Sequence, residues 1–500
     1  MKNNTNSKKY ILDITLFICW AVMMIFEVVW SRVLWPYFWT SVWVWTAIIW
    51  IILASMSLWY YLWWKYSDKD ASKEKLSRII MLGWVAILMM TIIKDDILRL
   101  LARNIEDIRI ASVMASVILF MPASIILWMI SPYIIRMRLH RIEDSWNIIW
   151  KLYALSTFWS IAGTFLWWFV LIPLIWTTKI LISLSIVLFI VSQSISFKEN
   201  LKFNTSMIVI LIALWLTMDK INAENAKRWF VDIDTEYNRI WIRDYTEWIW
   251  KDKIRYLHIN NENSSSMYLE KDELVAEYTK YYHLARFFNP WFKKTMMLWW
   301  AWYSFPKDFT KKYEKSTIDV VEIDPEITNI AKKYFSLKDN PRLKSIHADW
   351  RVYLNNTKER YDVIFGDAFS SHFSLPFQLT TKEAVQKKYD ILNQDWVVIL
   401  NVISAINWAK WDFLRAEVAT YKSIFPSVLV IPVKKDYDWE EIINIMIVAS
   451  KKKLSDKLES KDKEIDWYLK NIWKKPIPSD IPVITDEYAP IDYYTREIKF

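Results

Sequence analysis

The stretch TMMLWWAWYS at residues 295–304, followed by TIDVVEIDP at residues 317–325, decides how the C-terminal half of this chain reads. Thr295 to Leu298 and Thr317 to Ile323 are apolar, β-rich runs of strand length, each followed by a turn and a segment of helical spacing. Further runs of the same kind occur at Leu343 to His347, Tyr361 to Phe365, Val397 to Val402, Val428 to Val433 and Ile443 to Val448. This rhythm predicts an open, doubly wound α/β sheet, whose ligands bind at the carboxyl ends of the strands. Polar groups collect at those ends. Glu322 stands twenty residues beyond Trp302, a spacing that suits a carboxylate accepting from both hydroxyls of a ribose. Asp349 in Ala348-Asp349-Trp350 is placed to accept from an adenine amino group, and Asp367 follows Gly366 at the end of the fourth run. One acid after a strand is commonly a helix cap. Three on consecutive strands outline a nucleoside site.

The turn itself resists that reading. Trp299, Trp300, Ala301 and Trp302 occupy the loop where a nucleoside approaches the backbone, and indoles would fill the space. Composition supplies an explanation: the chain holds 34 Trp and only 3 Gly in 500 residues, and together they come to roughly the 7% that glycine alone normally holds. The expectation is that UGA encodes glycine in the source gene and has been read as tryptophan. The turn then reads G-G-A-G, and Asp349-Trp350 becomes D-G. The rival is a genuinely Trp-rich membrane protein, because indoles gather at membrane interfaces; it leaves tryptophan in soluble turns unexplained.

At 54% hydrophobic residues the chain is too apolar to be disordered, and its length calls for two or three domains. Apolar stretches of spanning length lie near 10–30, 40–62, 79–93, 110–132, 153–176, 179–196 and 204–218. About seven membrane helices are therefore expected over residues 1–220. No small-residue cleavage site follows the first, so it is not a cleaved signal. Lys and Arg in the N-terminus and in the loops Lys65 to Arg78 and Arg136 to Lys151 point those segments to the cytoplasm. Seven spans would then leave the C-terminal half outside the cell, so either one span is miscounted or the N-terminus is outside; the chemistry of the C-terminal half argues for the cytoplasm. Glu27 lies inside the first span, five residues before Arg32. It is either an intramembrane functional carboxylate or, as we favour, an interfacial partner of that arginine.

The formal net charge of +9 is spread over flanking loops and a charged tail, which argues for topology and solubility rather than nucleic-acid binding. The single Cys19 and five unclustered histidines provide no metal-ligand spacing, and no metal is expected. A small β subdomain with a following helix, Glu273 to Phe288, is expected over 221–288, the Rossmann-like domain over 289–450, and a charged extension over 451–500. Within that extension Lys451 to Lys463 reads as a solvated helix or linker.

With glycine at the suspect positions, Y-Y-H-L-A at 281–285, L-G-G-A-G-Y-S-F-P at 298–306, V-V-E-I-D-P at 320–325 and Y-D-V-I-F-G-D-A-F-S-S at 361–371 stand together. So do N-x-D-G-V-V-I-L-N at 393–401 and T-D-E-Y-A-P at 485–490. Residues 229–450 thus resemble the class I S-adenosylmethionine-dependent fold and, within it, the spermidine synthase (polyamine aminopropyltransferase) family. Residues 27–46 resemble the membrane region of bacterial fused transporter/spermidine synthase-like proteins. The resemblance implies that decarboxylated S-adenosylmethionine gives its aminopropyl group to a small amine or polyamine. Asp367 matches the family's proton acceptor. Glu322, Asp349, Trp350 and the turn Trp299 to Trp302 match the cosubstrate contacts, and Tyr282 and His283 match residues near the amine and the aminopropyl arm. Two departures weaken the case for a diamine. The family has Asp at the positions of Trp302 and Ser370, and each lost carboxylate removes a partner for a positive charge. The family's substrate-contacting Gln also has no counterpart among Asn260 to Ser266. His372 is an alternative base or a surface residue. An S-adenosylmethionine-dependent methyltransferase and a non-catalytic nucleoside-binding transporter or sensor remain open, as does an oligomer. The location expected is the inner cell membrane, multi-pass, with the catalytic domain in the cytoplasm.

Overall fold

The computed structural model divides into two units, Met1–Arg228 and Trp229–Phe500. It describes residues 2–38, 42–66, 72–105, 107–138 and 177–196 of the first unit, with isolated stretches between 150 and 209. In the second it describes 230–246, 252–260, 262–299, 303–367, 377–406, 410–434, 441–455 and 457–495.

The described part of the first unit is helical: α1 (Lys2–Phe38), α2 (Val42–Tyr66), α3 (Lys73–Asn104), α4 (Ile108–Ala115), α5 (Met121–Arg138) and α6 (Thr177–Ser196). A π-helical turn, Ser116–Phe120, joins α4 to α5, so that Ile108–Arg138 runs as one rod. Five helices among the described residues are long and apolar enough to cross a membrane. The expected spans near 153–176 and 204–218 lie mostly outside the described residues.

Small residues let these helices approach closely. The Ser77 hydroxyl of α3 donates to the Ser192 carbonyl of α6 at 3.0 Å, and the Ser192 hydroxyl donates back to the Ser77 carbonyl at 2.9 Å. Across α1 and the π turn, Trp30 Nε1 donates to Ser116 Oγ at 3.1 Å, and Phe26 stacks on Phe120. Glu27 departs from expectation: it is buried, and no ion pair joins it to Arg32 among the described residues. Its place on the packed face of α1, beside Phe26, turns it into the bundle.

The second unit opens with an antiparallel meander, β1 (Val231–Asp234), β2 (Arg239–Thr246), β3 (Lys253–Ile259) and β4 (Glu262–Tyr268). The helix expected over Glu273 to Phe288 is shorter and broken. It consists of α7 (Glu277–Tyr281), a 3-10 turn (Tyr282–Leu284) and a last turn, Ala285–Phe288. Glu273 to Ala276 precede it as bends around an isolated bridge in which Leu274, buried, pairs with Met267 of β4, so this stretch is taken up by the meander instead of the helix.

The larger sheet contains β5 (Lys294–Trp299), β6 (Thr317–Glu322), β7 (Leu343–His347), β8 (Tyr361–Asp367), β9 (Leu392–Ser404), β10 (Ser427–Pro432) and β11 (Ile443–Ser450). Its order is β10-β11-β9-β8-β5-β6-β7, with the five strands from β9 to β7 parallel and β10 and β11 antiparallel. The parallel strands carry unbroken apolar runs, such as Val363 to Phe365 and Val397 to Leu400, because helices cover both faces. These helices are α8 (Ser304–Lys312), α9 (Pro325–Tyr334), α10 (Trp350–Asn356), α11 (Lys382–Ile391) and α12 (Asp412–Lys422). The order in which strands are added reverses between β5 and β8, with β6 and β7 on one side and β8 and β9 on the other, which creates a crevice at their carboxyl ends.

Residues 451–500 are less of an extension than their charge suggests. Ile465, Tyr468 and Leu469 of α13 (Lys463–Lys470), with Ile484 and with Ile491 and Tyr494 of α14 (Ile491–Tyr494), are buried in the core of the same unit. Their apolar residues are spaced to cover one face between many lysines, which a composition count averages away.

Candidate active site at the strand edge

Parallel pairing places the predicted acids side by side. Trp299 of β5 is in register with Asp367 of β8, and Leu298 with Val321, so the end of β5 lies between Asp367 and Glu322. Both acids are buried.

Asp367 is held from two sides. Tyr278, on α7, donates its hydroxyl to Oδ2 at 2.7 Å, and Asn401 Nδ2, on β9, donates to Oδ1 at 3.0 Å. Burial raises its pKa to about 6, and the two hydrogen bonds oppose that rise. The Asn401 amide oxygen is buried with no partner. The amide's orientation follows from its neighbour, because the NH2 must face the carboxylate. Neither Tyr278 nor Asn401 was singled out from sequence. The signal for Asn401 was its place at the end of the L-N phrase on the strand beside β8; Tyr278 had none beyond lying one turn before the Tyr-Tyr-His motif.

Glu322 accepts from the Asp324 amide on Oε1 at 3.0 Å, while its buried Oε2 has no partner. Burial pushes its pKa well above the usual carboxylate range. A buried carboxylate oxygen without a donor is costly, and two ribose hydroxyls would satisfy it. Asp324 caps α9 through the Glu326 amide at 3.0 Å and accepts from the Thr235 hydroxyl at 2.5 Å. The β1–β2 turn is thereby fastened beside Glu322.

The remaining predicted residues divide. Asp349 follows β7 and caps α10, accepting from the Val352 amide at 2.9 Å. Trp350 is buried, its indole donating to the Val321 carbonyl at 2.6 Å, one residue from Glu322. Trp299 ends β5; Trp300, Ala301, Trp302, Ser370 and His372 lie outside the described residues. The residue after the turn, Tyr303, has φ of 55°, a left-handed conformation that favours glycine.

Tyr282 and His283, matched by resemblance to residues near the amine and the aminopropyl arm, lie beside the end of β8 and against α8 respectively. Tyr282 donates to the Gly366 carbonyl at 2.9 Å, with its ring packed on Phe305 and Phe365. His283 is buried toward α8: Nε2 lies 2.8 Å from Asp308 Oδ2, and Nδ1 lies 2.8 Å from the Tyr313 hydroxyl. Burial lowers its pKa. Adjacent residues in a helical turn point about 100° apart, so His283 turns away to α8, while Tyr282, four residues after Tyr278, shares its face and bonds the Gly366 carbonyl beside Asp367. A cleft of about 840 Å³ lined by Tyr268, Lys307, Lys311 and Arg342 includes neither Glu322 nor Asp367.

Residues 309–456 match the family described as Spermine/spermidine synthase domain. The polyamine aminopropyltransferase of Vibrio vulnificus (strain CMCP6) is 29% identical over 141 residues, which are 28% of this chain and 45% of that protein. The eEF1A lysine and N-terminal methyltransferase of Xenopus laevis is 33% identical over 97 residues, 18% of this chain and 14% of that protein. The chain thus spans under half the length of either relative. A probable spermidine synthase from Corynebacterium glutamicum aligns in structure with a TM-score of 0.41 and 21% identity, covering 47% of this chain and 83% of that one. The family match thus lies within the second unit, and the relatives of the chain include proteins named polyamine aminopropyltransferases.

Proposed function

We propose that the second unit is a spermidine synthase-like transferase that moves an aminopropyl group from decarboxylated S-adenosylmethionine to an amine, with Asp367 as proton acceptor. The observation that carries this reading is the pair of acceptors at the crevice: the Asp367 carboxylate, raised to about 6 by burial, and the unpartnered amide oxygen of Asn401, whose Nδ2 donates to that carboxylate. An amine nitrogen facing both can donate to the amide and give its proton to the carboxylate. The nitrogen bonds to the carbon attached to the sulfonium, the C–S pair returns to sulfur, and the released proton goes to Asp367. Such a carboxylate is charged at neutral pH yet close enough in pKa to take a proton. Glu322, with its free oxygen, is the candidate ribose partner, and Asp349 the candidate adenine partner. No ligand is needed to see the fit of Glu322, since its orphaned oxygen is itself the mark of a missing donor.

The second reading is a methyltransferase using intact S-adenosylmethionine. It is supported by the named methyltransferase relatives and by Trp302 standing where an acid would hold the cosubstrate's amine. Incubating the whole chain, with glycine at positions 299, 300 and 302, with each cosubstrate and candidate amines separates the two. Methylthioadenosine release supports the first reading and S-adenosylhomocysteine the second; binding of neither cosubstrate rejects the nucleoside site.

In the same reading the first unit is a multi-pass anchor in the inner cell membrane, and the transferase faces the cytoplasm, where its cosubstrate is made. Many tryptophans are glycines encoded by UGA. Trp291 supports this: it follows Asn289-Pro290 in a turn closed by the Asn289 side chain and is 79% exposed, a setting suited to glycine. Trp350 supports it too, because an indole one residue from Glu322 takes space that D-G would leave open.

A further inference from the structure

Arg351 binds together three segments that border the crevice. It sits in the first turn of α10, two residues after Asp349. Its Nη1 donates to the Gln378 carbonyl at 3.0 Å and to Thr381 Oγ1 at 3.2 Å, and its Nη2 donates to Asp486 Oδ2 at 2.5 Å. Asp486 is held as well: the Thr381 hydroxyl donates to Oδ1 at 2.6 Å, and the Asp486 amide donates to Glu383 Oε2 at 2.9 Å.

The C-terminal segment does not depend on the arginine for its place. Lys382 donates its amide to the Ile484 carbonyl at 2.7 Å, and the Ile484 amide donates to Thr420 Oγ1 at 3.1 Å, with Ile484 in the core. The segment is fastened to α11 and α12 through the backbone, so Asp486 is a fixed point and Arg351 is what it holds. By contrast α10 has only seven residues, too few to be stable without tertiary ties. Its start carries both Asp349 and Trp350.

We propose that Arg351 and Asp486 are positioning residues for the nucleoside side of the crevice. The planar guanidinium ties the first turn of α10 to the cap of α11 and to the C-terminal segment, and so sets where Asp349 stands relative to Glu322. The proposal rests on the reading of this unit as a nucleoside-cosubstrate transferase. It brings into the site a residue, Asp486, that lies beyond the stretch 309–456 matched by the family. Lysine is a poor substitute at 351, because one ammonium cannot reproduce a fork that reaches three acceptors on two other segments.

The test uses the full chain in detergent, with glycine at positions 299, 300 and 302 in wild type and variants alike, and follows calorimetric binding of each cosubstrate and steady-state kinetics. Arg351→Ala is expected to weaken cosubstrate binding about tenfold, with kcat at saturating cosubstrate within about twofold of wild type. Arg351→Lys is expected to fall between, and Asp486→Asn to shift affinity in the same direction. Because one latch can be lost only once, Arg351→Ala combined with Asp486→Ala should bind no more weakly than Arg351→Ala alone. Wild-type affinity in folded Arg351→Ala and Asp486→Asn, or additive losses in the pair, overturns the latch. Should Arg351→Ala not fold, Asp486→Asn and Arg351→Lys decide by themselves, since both keep a hydrogen-bonding group in place. A wild-type chain that binds neither cosubstrate rejects the reading of the whole unit instead.

Discussion

Two carboxylates at one strand edge have different environments, and their expected behaviour follows. Asp367 titrates near 6 because burial outweighs its bonds from Asn401 and Tyr278. As the base it must be charged, so kcat/KM should fall tenfold per pH unit below about 6 and level off above it. Asp367→Asn is expected to keep cosubstrate affinity, to lower turnover roughly 10²-fold or more, and to abolish that acid limb. An unchanged limb in the variant assigns the base elsewhere. Glu322 is burdened in the absence of ligand, with one oxygen unpartnered. Glu322→Gln should therefore weaken cosubstrate binding about tenfold or more while raising the thermal midpoint of the ligand-free protein, because a neutral amide is easier to bury. Calorimetry and thermal unfolding read the two effects separately, and a loss of both affinity and stability would contradict the ribose assignment. The acids were legible in the sequence because each closes a strand. Tyr278 and Asn401 were not, since they come from elements 89 and 34 residues away in the chain.

Between elements, α11 and α12 are joined by a buried polar group. Lys388 Nζ donates to the Leu379 carbonyl at 3.0 Å and to the Tyr421 hydroxyl at 2.9 Å, with Glu417 of α12 buried nearby. Burial lowers the lysine pKa and raises that of the glutamate, and their opposite charges counter both shifts. Lys388→Met is expected to cost about 3 kcal/mol, because it strands Glu417, and adding Glu417→Leu should recover most of that loss. Urea unfolding followed by near-UV circular dichroism checks this; additive losses would mean the two residues act independently. The strands were the most legible elements, since uninterrupted apolar runs of that length leave few alternatives. The region before β5 was harder to read. Tyr278, Tyr282 and His283 are all polar-tipped residues near one turn, and which of them meets Asp367 depends on helical phase and on the break at Tyr282–Leu284.

For the molecule as a whole, mass spectrometry of the native protein is the decisive check on composition. The tryptic peptide Thr295 to Lys307 should carry glycine at positions 299, 300 and 302; tryptophan at all three would leave the turn filled and the transferase reading without room for its cosubstrate. The chain is also expected to stay in the membrane fraction after an alkaline carbonate wash, and its release would reject the anchor. Hydrophobic runs, strand periodicity and the acids that end the strands are local properties, so the α/β architecture, the helical first half and the candidate acids Glu322, Asp349 and Asp367 are all readable from the residues alone. That Tyr278 and Asn401 hold Asp367, that His283 turns toward Asp308, and that Asp486 reaches Arg351 emerges from the packed fold. Those pairings depend on register between neighbouring strands and on the packing of helices over them, which no single segment encodes.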